Sequence, residues 1–209
     1  PSKPNSISIY YSVAQWSHGG NDRTAIESTL GSIEDWMTSR VTKMNSLFAD
    51  QTSFNADLSK WDTSHVVTMG KMFYEASAFN ADLSSWDVSS VKTMSGMFES
   101  AAAFNCDVSD WDVASVQDMA AMFSSSTAFN GDVSTWNVSS VTSMRNMFQD
   151  AESFNQDLSS WRVGRVTTLV RMFDGASAFN SNLSAWDTGR VETMYSTFRN
   201  AASFNGDVS

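Results

Sequence analysis

The dipeptide Phe-Asn recurs at Phe54, Phe79, Phe104, Phe129, Phe154, Phe179 and Phe204, always 25 residues apart and with no insertion or deletion. A fixed period of this length constrains folding more than any local propensity does. Each unit is too small to bury its own apolar face and must share a core with its neighbours. Tryptophans keep the register at Trp36, Trp61, Trp86, Trp111, Trp136, Trp161 and Trp186, and a second phenylalanine column runs from Phe48 through Phe73, Phe98, Phe123, Phe148 and Phe173 to Phe198. The two columns hold all 14 phenylalanines, and Trp16 alone of the 8 tryptophans lies outside the array. The aromatics are scaffold, and so is the methionine stripe from Met44 to Met194.

Within one unit, Val66, Met69, Met72, Phe73 and Ala76 fall at the spacing of a helical stripe, with Ser64 placed to cap its first turn. The stretch before it, residues 54–63, is aromatic and branched, and the alternation in Trp86-Asp87-Val88 fits a short strand with Trp and Val inward. The expected fold is an α/β solenoid, a right-handed superhelix of 25-residue coils, each a short strand plus a short helix. Residues 1–32 fall outside the repeat and are expected to form an N-terminal cap. In that cap the alternation of Ser6 to Val13 predicts a strand that packs with Trp16 over the first coil. Residues 33–209 hold about seven coils, of which the last is incomplete. Its uncovered Phe198 and Phe204 faces lead to the expectation that this end is continued by more repeats or covered by another chain.

Composition narrows the function. The net charge of -10 and pI near 4.4 disfavour a nucleic-acid partner and docking on anionic lipid. No run approaches the roughly 18 apolar residues of a membrane span. Cys106 is the single cysteine, so no internal disulfide staples the chain. The sequence begins at Pro1 without Met or an apolar signal core, as a processed or trimmed chain would. Charge is uneven along the array: residues 33–132 carry 14 acids and 5 bases, net -9, and residues 133–209 carry 7 acids and 6 arginines, net -1.

The unit Phe-Asn-x-Asp-Leu-Ser-x-Trp-Asp-Val-Ser-Ser-Val-x-x-Met-x-x-Met-Phe-x-x-Ala resembles the BspA-type surface-protein repeat, across residues 33–209. The resemblance implies a leucine-rich-repeat-like solenoid, a secreted or cell-surface location, and a binding or adhesive role without catalysis. The chain departs from the pattern where Met37, Asn137 and Arg162 replace the Asp after Trp, where Asn182 replaces the Asp before Leu, and where Thr197 replaces the second Met.

The polar columns carry the candidate chemistry. Asparagine stands at Asn55, Asn80, Asn105, Asn130, Asn155, Asn180 and Asn205, where its amide can satisfy backbone groups of adjacent coils as a buried ladder. Serine at Ser59, Ser84, Ser109, Ser134, Ser159, Ser184 and Ser209 fits the same kind of turn. Asp57, Asp82, Asp107, Asp132 and Asp157 form a stacked carboxylate column, for which calcium is one reading and turn capping the other. Asn182 in that column favours capping, since it keeps the hydrogen-bond geometry and discards the charge. No other cofactor is implied. The candidate binding face comprises Lys60, Asp62, Ser85, Asp87, Asp110, Asp112, Thr135, Asn137, Ser160, Arg162, Ala185 and Asp187, the most variable positions beside the constant core. Asn137 and Asn182 also begin glycosylation triplets, with Asn137 the better placed acceptor. His18 and His65 are the only histidines, no nucleophile or metal motif surrounds Cys106, and an enzyme is not expected. A protein or glycan is the expected partner. An accessory subunit bridging a larger assembly and a calcium-dependent adhesion module are the alternatives.

Overall fold

The computed structural model describes residues 6–208; Ser209, the last of the serine column, and residues 1–5 of the expected cap lie outside the described residues. The described chain opens with α1 (Ser6–His18), α2 (Gly20–Leu30) and one 3-10 turn (Ile33–Asp35). The expected strand over residues 6–13 is therefore corrected to a helix. Ile9, Val13 and Trp16 repeat at helical spacing, and this places Ile9 and Val13 in the core at 0% and 2% exposure. The alternation in the same segment is the weaker signal, because only one face has anything to pack against. Gly19 joins the helices at φ 71°, a conformation that a side chain disfavours. Trp16 meets Phe54 edge-on at 5.8 Å, donates from Nε1 to Glu27 (3.0 Å), and lies 3.9 Å beneath the Arg23 guanidinium.

The array itself contains neither an α-helix nor a multi-residue strand among the described residues. This overturns the expected strand-plus-helix, leucine-rich-repeat-like coil. Successive coils touch instead through single parallel bridges, Lys43 to Thr68 and onward at 25-residue steps to Thr193. The segment expected to be helical shows why. Met69, Lys71, Phe73 and Glu75 each donate their amide to the next coil, to Thr93, Ser95, Met97 and Glu99 (2.8–3.0 Å). Between them Met72, Tyr74 and Ala76 donate three residues back, closing consecutive turns (3.1–3.2 Å). A helix would use every amide within the segment, so this alternation excludes one.

Left-handed residues make the alternation possible. Lys71 and Glu75 have φ of 56° and 55°, and both columns are left-handed in every coil from Ser46 and Asp50 to Ser196 and Asn200. Two of these fourteen positions are glycine (Gly96 and Gly175), and the rest are small, polar or unbranched at Cβ. Each non-glycine costs about 1–2 kcal/mol locally, which the inter-coil hydrogen bonds offset. A reversal every four residues turns Met69, Met72, Phe73 and Ala76 inward, all fully buried, in the spacing that mimics a helix.

The core is a set of aromatic stacks. Phe48, Phe73, Phe98, Phe123, Phe148, Phe173 and Phe198 follow one another at 5.5–5.8 Å, nearly parallel. Each lies 3.7–4.2 Å from the Phe-Asn phenylalanine of its own coil. Each indole from Trp61 to Trp186 donates Nε1 to the carbonyl 28 residues back, as Trp136 does to Val108 (3.0 Å). The methionine stripe is buried from Met44 to Met144, while Met194 in the last coil is 47% exposed. There Phe198 and Phe204 are half-buried, and Phe198 lines a cavity of ≈ 190 Å³ together with Leu169, Trp186 and Val208.

Three substitutions at two positions check this architecture by urea denaturation. Ala121→Gly relieves a left-handed alanine and leaves stability unchanged or higher, where a helix would lose about 1 kcal/mol; Ala121→Val lowers it. Trp136→Phe leaves the Val108 carbonyl without its donor in a buried site and costs about 1–3 kcal/mol.

Candidate interaction surface

The columns of the candidate binding face lie along the tryptophan side of the stack, where the coils make two side-chain-capped turns apiece, except that Arg162 supplies no cap to the second turn of its coil. In the first, Asp57 Oδ1 accepts the Ser59 amide (2.8 Å), and Asp82, Asp107, Asp132 and Asp157 do the same for the serine two residues on (2.9–3.0 Å). Asn182 caps Ser184 identically at 2.9 Å. The carboxylate column thus directs one oxygen of every member into its own turn. Among the described residues no group of three or more His, Cys, Asp or Glu gathers as a cation site.

In the second turn Asp62, Asp87, Asp112, Asn137 and Asp187 accept the amide two residues ahead at 3.0–3.2 Å. This face is therefore a row of capped turns, not the outer side of a strand. Trp and, from Thr63 to Val163, the residue two further on are buried, and the position after Trp is exposed in every coil from Asp62 to Asp187.

The variable column before Trp is partly committed to stacking. Ser85, Thr135 and Ser160 donate their hydroxyls to Ser59, Ser109 and Ser134 carbonyls of the preceding coil (2.6–3.0 Å). Lys60 pairs with Asp35 at 2.5 Å, both side chains exposed. Asp110 and Ala185 are exposed in the same column.

Open grooves run between the coils here. Thr135, Asn137, Ser160 and Arg162 line one of ≈ 550 Å³, with Trp136 at its floor. Ser160, Arg162, Ala185 and Asp187 line the next, ≈ 410 Å³, so Arg162 is shared by both. Lys60 and Asp62 border a third of ≈ 350 Å³ near the helices. Ser85, Asp87, Asp110 and Asp112 continue the columns between these grooves. Asn137 presents an exposed side chain whose Oδ1 is held by the Ser139 amide (3.2 Å).

The remaining polar groups have structural employment. The asparagine ladder forms, but on the surface and not buried as expected: each Oδ1 accepts the amide of the asparagine 25 residues on, from Asn55 with Asn80 to Asn180 with Asn205 (2.7–2.9 Å). Cys106 donates its thiol to the Ala81 carbonyl (2.9 Å), and burial, with Asp82 adding to it, pushes its pKa up to about 11, so it stays protonated at neutral pH. His65 is exposed beside the Ser64 hydroxyl. Asp174, buried at 2% exposure, is held by Arg199 of the next coil at 2.7 Å. Sequence reasoning missed that pair, whose signal is an acid and a base 25 residues apart. It also left Arg165 and Arg190 out of the candidate face, although four arginines crowded into residues 162–190 marked this end.

Comparison with known proteins places this geometry in a family. The family described as "Mycoplasma protein of unknown function, DUF285" matches residues 21–135 and 106–209, and the chain belongs to it. No curated protein matches. One similar solved structure is "Crystal structure of TLR13-ssRNA13 complex", at 13% identity and a TM-score of 0.32; the match covers 92% of this chain and 31% of that one. No helix of the described residues is long and apolar enough to cross a membrane.

Titration of the turn carboxylates gives a check. Donation from the Ser59, Ser109 and Ser159 amides holds Asp57, Asp107 and Asp157 below the usual carboxylate range, and the Ser89 hydroxyl and then its amide do so for Asp87. A depressed folded-state pKa stabilises above the unfolded value of about 3.9 and loses that contribution as pH falls through the folded value. The melting temperature is expected to hold from neutral pH to about 5 and to drop below about 4. Replacing these four aspartates by asparagine, as Asn137 and Asn182 already do in their columns, keeps the turns and flattens that drop.

Proposed function

We propose that this chain is a non-catalytic recognition scaffold that presents its capped-turn face to a protein or glycan. The observation that carries the reading is the separation of roles within each coil. Core aromatics, tryptophan donors and asparagine acceptors repeat with little change, while exposed positions 60, 62 and their equivalents change charge and chemistry from coil to coil beside open grooves. Neighbouring coils set those positions roughly a strand spacing apart on a frame whose backbone is already hydrogen-bonded, so little ordering cost remains for binding. The resemblance to surface-protein repeats supports a location on or outside the cell.

A second reading, an accessory subunit in a larger assembly, draws support from apolar side chains exposed on the first coils and the helices beside them: Tyr11 (65%), Met37 (41%) and Val67 (40%). Gel filtration combined with thermal melting separates the two. A cooperative, well-behaved isolated protein fits the independent scaffold, and stability that depends on a neighbour fits the subunit.

Reversing Asp87, Asp110 and Asp112 to lysine tests the scaffold directly. In a pull-down from the native source or on a glycan array, the reversed protein loses the partner that the wild type captures, with the melting temperature little changed. Retention of the same partner contradicts the assignment of this face.

A further inference from the structure

We propose that the capped-turn face pairs with a second copy of this chain in antiparallel register, acidic coils of one copy against arginine-bearing coils of the other. The position after Trp reads Asp62, Asp87, Asp112, Asn137, Arg162 and Asp187 along the stack, and the position three residues later reads His65, Ser90, Ser115, Ser140, Arg165 and Arg190. From the coil of Asp62 onward this face therefore changes sign along its length; Met37 and the exposed Arg40 stand in the coil before it, outside the paired stretch. Asp62, Asp87, Asp112, Arg162, Arg165 and Arg190 are all exposed. None of the three arginines forms an ion pair among the described residues, whereas Lys60 pairs with Asp35 and Arg199 with Asp174.

A two-fold contact uses the same patch on both molecules, so a face can pair with itself only if it is complementary under that rotation. An axis through the coil of Asn137 satisfies this. It sets Arg162 against Asp112 of the second copy, with Asp110 nearby, and brings Arg190 opposite Ser90 and diagonal to Asp87 of the second copy; both contacts repeat on the other side, and Asp187 facing Asp87 is the one like-charge pair. The alternative parallel register would set like charges together at every charged coil. Asp187, the exception in its column, lies against Gly164 of its own neighbouring coil, within 3.1 Å of where a Cβ on that glycine would stand. Between the charged columns runs a column of small residues, Ser64, Ser89, Ala114, Ser139, Gly164 and Gly189, which allows close approach. The groove at Asn137 and Trp136 lies on the axis. Since exposed ion pairs are individually weak and each molecule carries -10, the contact is specific in register and modest in affinity.

This inference rests on the reading of the face as a recognition surface and names one partner for it. The test is sedimentation equilibrium of the whole chain at physiological salt, up to about 1 mM, the weak limit of a specific contact. The wild type is expected to form a reversible dimer. Arg162→Asp and Asp112→Arg each weaken it about tenfold or more, because every change is felt twice across the axis, and the double swap restores it. The swapped residues already occur in this column, so folding tolerates them, and melting curves verify that. A wild type that stays monomeric overturns the proposal. So does a dimer indifferent to the swap but lost on Met194→Asp, which would place self-association at the last coil. If the wild type is monomeric yet loses a captured partner on reversal of Asp87, Asp110 and Asp112, self-pairing falls and the recognition reading stands.

Discussion

Half of the amides in each coil's turn segment have no acceptor in their own coil, and this constraint organises the rest of the molecule. Met94, Gly96, Phe98 and Ser100 find their acceptors in the following coil, at Asp118, Ala120, Met122 and Ser124. An isolated coil would leave these amides unpaired and its aromatics uncovered, so order in one coil depends on order in the next. The tryptophan donors and asparagine acceptors work in the same direction: Trp111 reaches back 28 residues to Leu83, and Asn80 accepts from Asn105. Backbone, indole and carboxamide bonds thus tie each junction beside a continuous phenylalanine stack. Deleting a buried donor at any junction strands an acceptor that water cannot reach.

Much of this was legible in the residues. The 25-residue period, the burial of both phenylalanine columns and of the tryptophans, and turn capping by the Asp57 column follow from spacing and donor chemistry. The conformation of the coil did not. Met69, Met72, Phe73 and Ala76 fit a helical stripe, and turns that reverse every four residues deliver the same side chains to the same core. The distinguishing signal lay elsewhere, at the columns of Lys71 and Glu75. No coil places a β-branched or aromatic residue there, as left-handed backbone requires. At the N-terminus the alternation of Ile7, Ile9, Tyr11 and Val13 competed with the spacing of Ile9, Val13 and Trp16. A helix wins because it can lay one stripe against the first coil while satisfying its own backbone.

The same economy limits what the candidate face can do. Hydroxyls at Ser85, Thr135 and Ser160 are spent on carbonyls of the preceding coil, and the Asp57 and Asp62 columns each give one oxygen to a turn. What remains for a partner is the second carboxylate oxygen, the arginines at 162, 165 and 190, and the groove walls. In the proposed recognition role, such a surface discriminates by charge pattern and shape.

The central claim is the partition of amides between neighbouring coils, and couplings transmitted through hydrogen bonds in NMR report it directly. The account predicts a coupling from the Phe98 amide nitrogen to the Met122 carbonyl carbon and from Ser100 to Ser124, with Met97 and Glu99 coupled three residues back to Met94 and Gly96. Couplings running four residues back through Met94 to Ser100, with none between coils, would mean that the segment is a helix and would contradict it.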